Sequence, residues 1–214
     1  MRFKDRSDAA RLLAAALEKY KGTHPLVLAI PRGAVPMGRI LAEALDGDLD
    51  VILIRKLGAP FNPELAVGSI AESGWSYIAP YAARLGADMR YLEAEKSAQL
   101  AVIQRRRAMY TPKRAPCDVR ERVVIVVDDG LATGASMMAA LHAIRPLHPK
   151  RLVCAVPVAA PDSLESIRPL ADDVVCLYAP PGFRAVGLYY DAFSQVEDAQ
   201  VCACLESLSQ TDDD

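Results

Sequence analysis

Val123-Val124-Ile125-Val126-Val127-Asp128-Asp129-Gly130-Leu131-Ala132-Thr133-Gly134-Ala135-Ser136 is the stretch on which the reading of this chain turns. Five consecutive β-branched residues without a charge predict a strand buried on both faces, the kind found in parallel sheets covered by helices on each side. The strand delivers two adjacent carboxylates to its carboxyl end, the edge at which open α/β sheets bind ligands. Apart from Leu131, residues 130–136 are small or hydroxylic, so backbone N–H groups can crowd around one anion. Met137-Met138-Ala139-Ala140-Leu141 then opens a helix whose positive end points at the same place. An anion cradle flanked by two acids suits a ligand that carries both a phosphomonoester and a vicinal diol, such as a ribose 5-phosphate.

Outward from this stretch, apolar runs alternate with helical periodicity. Residues 3–20 predict an amphipathic helix, with Leu12, Leu13, Ala16, Leu17 and Tyr20 on one face and Ser7 as its cap. Residues 26–30 read as the first buried strand, followed by the loop Pro31-Arg32-Gly33-Ala34 and, through Pro36 and Gly38, a helix over 39–45. Residues 50–54 predict the next strand, ending in Arg55-Lys56. Two prolines and a glycine make 58–64 an irregular, mobile segment, and 66–72 pairs with 75–79 as a hairpin around Ser73-Gly74. A long helix over 88–110 carries Arg105-Arg106-Arg107, which complements the macrodipole at its end rather than marking an RNA surface. The last strands are 151–156 and 173–177, joined through a helix that starts near Asp162. The alternation argues for an α/β fold, a doubly wound, mainly parallel sheet with right-handed crossovers. It forms a single domain over 1–214, with a β-hairpin lid at about 58–78 and a small C-terminal hood at about 179–205.

Composition bounds the function. At 52% hydrophobic and 24% charged, 214 residues hold one sizeable core, and a net charge of −2 gives no general pull toward nucleic acid or an anionic membrane. No apolar run approaches the roughly 20 residues of a membrane span. Asp5, Asp8, Arg11 and Glu18 interrupt the one apolar stretch near the start, so it does not read as a signal peptide and the protein is placed in the cytoplasm. The five cysteines form no disulfide framework, and Cys202 and Cys204 have the wrong spacing for a zinc clip on a helix. There is no internal repeat, and the only biased tract is the acidic tail Asp212 to Asp214.

At residues 123–136 the chain resembles the type I phosphoribosyltransferases, whose phosphoribosyl pyrophosphate (PRPP) motif is an apolar run, two acids and a Thr-Gly-Gly/Ala-Thr/Ser loop. The resemblance implies that Asp128 and Asp129 hold the ribose hydroxyls, directly or through magnesium-bound water, while Leu131, Ala132, Thr133, Gly134, Ala135 and Ser136 cradle the 5-phosphate. Pro31-Arg32-Gly33 resembles the family's pyrophosphate loop, in which a non-proline cis peptide is frequent and here falls at Pro31–Arg32. Arg32 supplies a donor fork, Gly33 lets backbone N–H groups approach, and Arg55 and Lys56 are implied to face the pyrophosphate. Glu72-Ser73-Gly74 resembles the catalytic lid of the adenine enzymes and places Glu72 near the base, with Glu64 as a weaker candidate. Residues 179–193 resemble the base-binding segment of the 6-oxopurine enzymes: Val186, Gly187 and Asp191 fall in register. Phe183 stands one residue further away than the pattern, so that Tyr189 or Tyr190 can stack in its stead, or these aromatics simply close the core. Ala132 stands where the oxopurine enzymes have an Asp, which brings the loop closer to the adenine and uracil types.

From residue 3 to about 205, the chain is similar to bacterial phosphoribosyltransferase-like proteins with Pro-Arg-Gly-x-Val-Pro and Asp-Asp-Gly-Leu-Ala-Thr-Gly signatures. The implied activity is transfer of 5-phosphoribosyl from PRPP to a nitrogen acceptor, a nucleobase, with Mg2+ as cofactor, by a homodimer. The alternative is a non-catalytic PRPP- or nucleotide-sensing regulator of the same fold. A PRPP synthetase is disfavoured, because such chains consist of two related domains.

Overall fold

The computed structural model describes residues 1–112 and 114–206; the acidic tail Asp212 to Asp214 lies outside them. In chain order the elements are α1 (Arg6–Ala16), β1 (Leu26–Ala29), α2 (Val35–Leu45), β2 (Asp48–Val51), β3 (Ile54–Ala59), β4 (Asn62–Ala71), β5 (Ser76–Ile78), α3 (Met89–Tyr110), β6 (Val123–Val127), α4 (Ala135–Ile144), β7 (Arg151–Val158), α5 (Pro161–Ile167), β8 (Asp173–Tyr178) and α6 (Asp198–Glu206). The central sheet runs β2-β1-β6-β7-β8 with every pairing parallel, and a second sheet, β3-β4-β5, is antiparallel. β6 sits in the middle, and all five of its residues are buried.

Its side chains explain why. Val123, Ile125 and Val127 enter one apolar cluster with α1 and α2, while Val124 and Val126 enter another with α4 and α5. Successive residues of a strand point to opposite faces, so only a strand apolar at every position can be central here. Each Val or Ile so buried contributes about 1.5–3 kcal/mol. α1 packs against α2 and the β7–β8 side of the sheet, and α6 packs against α2 and α3. No helix among the described residues is long and apolar enough to cross a membrane.

Several boundaries differ from the sequence reading for identifiable reasons. α1 is capped by Asp5, whose carboxylate accepts the Asp8 N–H at 2.8 Å, so Ser7 lies inside the helix and Phe3 outside it, bridging to Tyr190. α2 begins at Val35 instead of 39, because Pro36 falls in its first turn, where a missing N–H costs nothing. Residues 58–64 are not irregular: β3 and β4 form a hairpin through them, with register shifts at Leu57/Gly58 and Gly58/Ala59 that accommodate Pro63. Tyr91 on α3 donates its hydroxyl to the Gly58 carbonyl at 2.9 Å and ties the hairpin down. Arg55 and Lys56 lie inside β3, not at the end of a central strand.

The edge strand β2 carries Asp50, a carboxylate only 1% exposed. Arg107 reaches it from the end of α3 at 2.7 Å, and the same guanidinium grips Glu72 at 2.8 and 2.6 Å and the Val51 carbonyl at 2.9 Å. The Cys117 N–H donates to the other Asp50 oxygen at 2.9 Å, bringing the connector between α3 and β6 into the same knot. Arg107 thus does far more than complement a helix dipole. Removing one partner of a buried ion pair strands the other charge, at a cost of about 3–5 kcal/mol. Arg107→Met is therefore expected to lose about that much stability in urea unfolding at neutral pH; a loss below about 1 kcal/mol would show that the knot contributes little.

Candidate active site

β6 hands the chain to Asp128 and Asp129 at the carboxyl edge of the sheet. The Asp129 N–H donates to Asp128 Oδ1 at 2.9 Å, which holds the first carboxylate against the turn. Leu131 is buried and bridges to Ala159, with its N–H on the Val158 carbonyl at 2.9 Å and its carbonyl accepting from Ala160 at 2.8 Å. Leu131 therefore anchors the loop and has no free group for a ligand. Ser163 donates to the Ala132 carbonyl at 2.6 Å. Gly134, at φ +70°, turns the chain into α4, a conformation that side chains disfavour. Thr133, Ala135 and Ser136 are exposed at this turn. The first N–H groups of a helix have no intrahelical acceptor, and the side chain that meets one of them is Thr133, whose Oγ1 accepts the Ala135 N–H at 3.4 Å.

Asp129 is held from the opposite direction. Arg6, in the first turn of α1, places Nε and Nη2 at 2.9 and 2.8 Å from Asp129 Oδ2, donates Nη1–H to the Ser194 carbonyl at 2.7 Å, and lies 3.9 Å over the Phe193 ring. Gly33 presses against the same oxygen: a Cβ there would stand 2.1 Å from Asp129 Oδ2, so no other residue fits. Tyr190, buried, donates its hydroxyl to the Asp129 carbonyl at 2.7 Å. Arg6, Gly33, Asp129 and Phe193, with Arg32, Val186 and residues 194–196, line an open cavity of about 470 Å³. Burial and then the neighbouring Asp129 charge push the Asp128 carboxyl well above the usual carboxylate range. Burial also raises Asp129, opposed by Arg6. The Pro31–Arg32 peptide is cis, and Arg32 stands 3.7 Å from both Glu197 and Asp198.

A family model described as phosphoribosyl transferase domain matches residues 5–190. This chain belongs to the phosphoribosyl transferase domain family. A Mycobacterium tuberculosis protein provisionally named a phosphoribosyl transferase is 39% identical over 205 residues, 95% of this chain and 46% of that protein. The chain thus spans about half the length of the curated relatives it matches. A crystal structure of the protein TT1426 from Thermus thermophilus superposes with a TM-score of 0.85 at 45% identity, covering 97% of this chain and 99% of that one. A uracil phosphoribosyltransferase of Staphylococcus saprophyticus is 29% identical over 172 residues, 80% of this chain and 71% of its own.

Within this phosphoribosyl transferase domain, the residues singled out from sequence divide. Asp129, Arg32, Gly33 and Val186 line one cavity; Asp128 directly precedes Asp129, and Thr133 to Ser136 follow in the chain at the start of α4. Arg55 and Lys56 separate, because neighbours on a strand face opposite ways: Arg55 donates to Gln99 of α3 at 2.9 Å, and Lys56 lines a different cavity beside Ser136. Neither stands with Arg32. Glu72 meets Arg107 with both oxygens and lines a cavity with Asp50 at the sheet edge, apart from the one that Asp129 lines. In the C-terminal segment Tyr190 is a core residue, its phenol pushed far up by burial; Asp191 pairs with Arg2 at 2.8 Å, and Phe183 stacks on Tyr189 at 5.5 Å. Their base-binding arrangement is not assembled here, and the reading in which these aromatics close the core fits Tyr190.

Arg6 was not found from sequence. A signal existed: a cation in the first turn of a helix opposes the macrodipole, and its position behind the Asp5 cap asks for a compensating anion. The raised Asp128 carboxyl has a consequence for stability. Between the ordinary carboxylate value of about 3.9 and the raised one, the folded chain holds a proton that the unfolded chain has released, so stability falls as pH rises across that window. Asp128→Asn removes the dependence. Its melting temperature should exceed the parent's at pH 7.5 and converge toward it near pH 4, by calorimetry without ligand; a difference independent of pH would contradict the assignment.

Proposed function

We propose that this protein transfers a 5-phosphoribosyl group from PRPP to a ring nitrogen of a nucleobase and releases pyrophosphate. The observation that carries the proposal is that Asp129 and the Arg32–Gly33 loop line one cavity, while Asp128 directly precedes Asp129 and the helix-start anion cradle turned by Gly134 follows it in the chain. In the reaction the bond from the ribose anomeric carbon to the pyrophosphate oxygen breaks, the bond to the acceptor nitrogen forms, and that nitrogen loses its proton to solvent. The N–H groups of the cradle and the hydroxyls of Thr133 and Ser136 bind the 5-phosphate. Asp128 and Asp129 accept the ribose hydroxyl protons and stabilise positive charge at the anomeric carbon. Arg32 binds the departing pyrophosphate, and the Gly33 backbone, lacking a side chain, admits it close to the acids.

The donor set around Asp128 and Asp129 consists of carboxylate oxygens, which suits a hard divalent ion, and Mg2+ fits it. Bound there, Mg2+ supplies charge neutralisation of the pyrophosphate. The chain's own contribution is the oxygens of Asp128 and Asp129, one of which Arg6 shares.

The β3–β4–β5 sheet serves in this proposal as the lid that excludes water, within one domain that comprises the whole chain. Cytoplasmic residence accords with five free thiols. Exposed Phe61 at the hairpin tip and exposed Met89 offer an apolar surface for a homodimer; light scattering at micromolar concentration should give twice the chain mass, and a monomer would remove this part of the proposal.

Calorimetry with PRPP and Mg2+ tests the site. Asp128→Asn with Asp129→Asn, and separately Thr133→Val, should weaken PRPP binding by at least about tenfold, roughly 1.4 kcal/mol. Unchanged affinity in folded variants would end the reading. Release of pyrophosphate against a panel of bases then identifies the acceptor, while tight PRPP binding without release for any base would favour the regulatory reading.

A further inference from the structure

A cavity of about 380 Å³ lies between the antiparallel sheet and α4, and Arg32 is not among its lining residues. Its walls are Trp75, Tyr77 and Tyr81 on the sheet side and Ser136, Met138 and His142 on the helix side. Trp75 and His142 stand parallel, 5.5 Å apart at an interplanar angle of 10°, and Tyr81 is fixed by its hydroxyl on the Ala66 carbonyl at 3.1 Å. Small residues on β4, Ala66 and Gly68, leave the space open between these rings. Among the described residues, no carboxylate lines it. Lys56 projects from β3 into the same space and has no ion-pair partner among the described residues, and Ser136 brings the positive end of α4 to the opening.

We infer that this cavity binds a planar aromatic ring bearing one acidic group. Flat, apolar walls of indole and phenol select a ring. Lys56 and the helix start select its negative charge, and the absence of any acid on the lining leaves nothing to repel it. The inference goes beyond phosphoribosyl transfer and stands if PRPP is not the substrate. Two sources share the chemistry: an aryl phosphate whose phosphate enters the cradle, and an aromatic carboxylate that pairs with Lys56 alone.

Trp75 is the only tryptophan of the chain, so its fluorescence reports occupancy of this cavity and of no other. Titrations of the full chain with benzoate, phenyl phosphate and benzyl alcohol are the test. Benzoate or phenyl phosphate should give a saturable change, with benzyl alcohol at least about tenfold weaker, equal to 1.4 kcal/mol. Lys56→Met should bring benzoate down to the level of the alcohol. Ala66→Phe, which fills the cavity from a strand position where an aromatic is well tolerated, should abolish the response; Ala139→Leu serves from the helix side if that variant does not fold. With excess PRPP present, loss of the phenyl phosphate response identifies the aryl phosphate, and a retained benzoate response identifies the carboxylate. Absence of a saturable response to both anions, equal affinity for the neutral alcohol, or a response that survives filling of the cavity overturns the inference. Loss of PRPP binding in the Asp128 and Thr133 variants, by contrast, leaves the benzoate response in place.

Discussion

Two carboxylates on consecutive residues, at the buried end of a central strand, cannot both be charged without a cation nearby. The arrangement around Asp129 answers that constraint and recruits distant parts of the chain to do so. Arg6 comes from the first helix, Gly33 from the loop after β1, Tyr190 and the Ser194 carbonyl from the C-terminal segment. The parallel bridge of Phe3 to Tyr190 fastens the residue run before α1 to the C-terminal segment just beside this point. Asp128, which has no such guanidinium in contact, instead keeps its proton to a higher pH. One acid is paired and its neighbour is held toward neutrality, which leaves the pair open to a ligand that brings either hydroxyl groups or positive charge.

The edge strand solves a similar problem in a different way. Asp50 is more deeply buried than either site acid, yet two peptide N–H groups and Arg107 satisfy it, and Arg114 stands 3.4 Å away. No oxygen is left for a ligand. The contrast separates structure from function on physical grounds: a saturated buried acid fixes the fold, whereas an acid facing an open cavity with unfilled acceptor capacity is available for chemistry. Glu72 falls on the saturated side, because the bidentate grip of Arg107 uses both of its oxygens.

Legibility in the sequence followed the range of the interactions involved. The central strand, the acid pair and the helix start could be read because their signals are contiguous: a run of β-branched residues, two acids, then small and hydroxylic residues. The doubly wound sheet followed from alternation along the chain. What escaped were contacts between residues far apart. Arg6 meets Asp129 across 123 residues and Arg107 meets Glu72 across 35, and no local pattern encodes either pairing. The hairpin at 58–64 escaped for a different reason: Gly and Pro there read as breakers, but a register shift and the Tyr91 tether let both lie within strands. Arg55 and Lys56 show the limit of adjacency itself, since a pair on a strand is divided between two faces.

The start of α4 lines one of two cavities that differ in character. On one side Arg6, Arg32 and Asp129 make a charged, open space; on the other Trp75, Tyr77 and Tyr81 make an apolar one. The helix start, Ala135 and Ser136, brings its positive end to the aromatic cavity, where it favours negative charge. The two spaces differ in what they ask of the remainder of a ligand: hydroxyls for Asp128 and Asp129, a flat ring for Trp75 and Tyr77. Because the hairpin that bears Lys56 and Tyr77 forms one wall of the second space, its position relative to α4 sets the width of that space. A ligand held there rests on the same sheet that would cover the first.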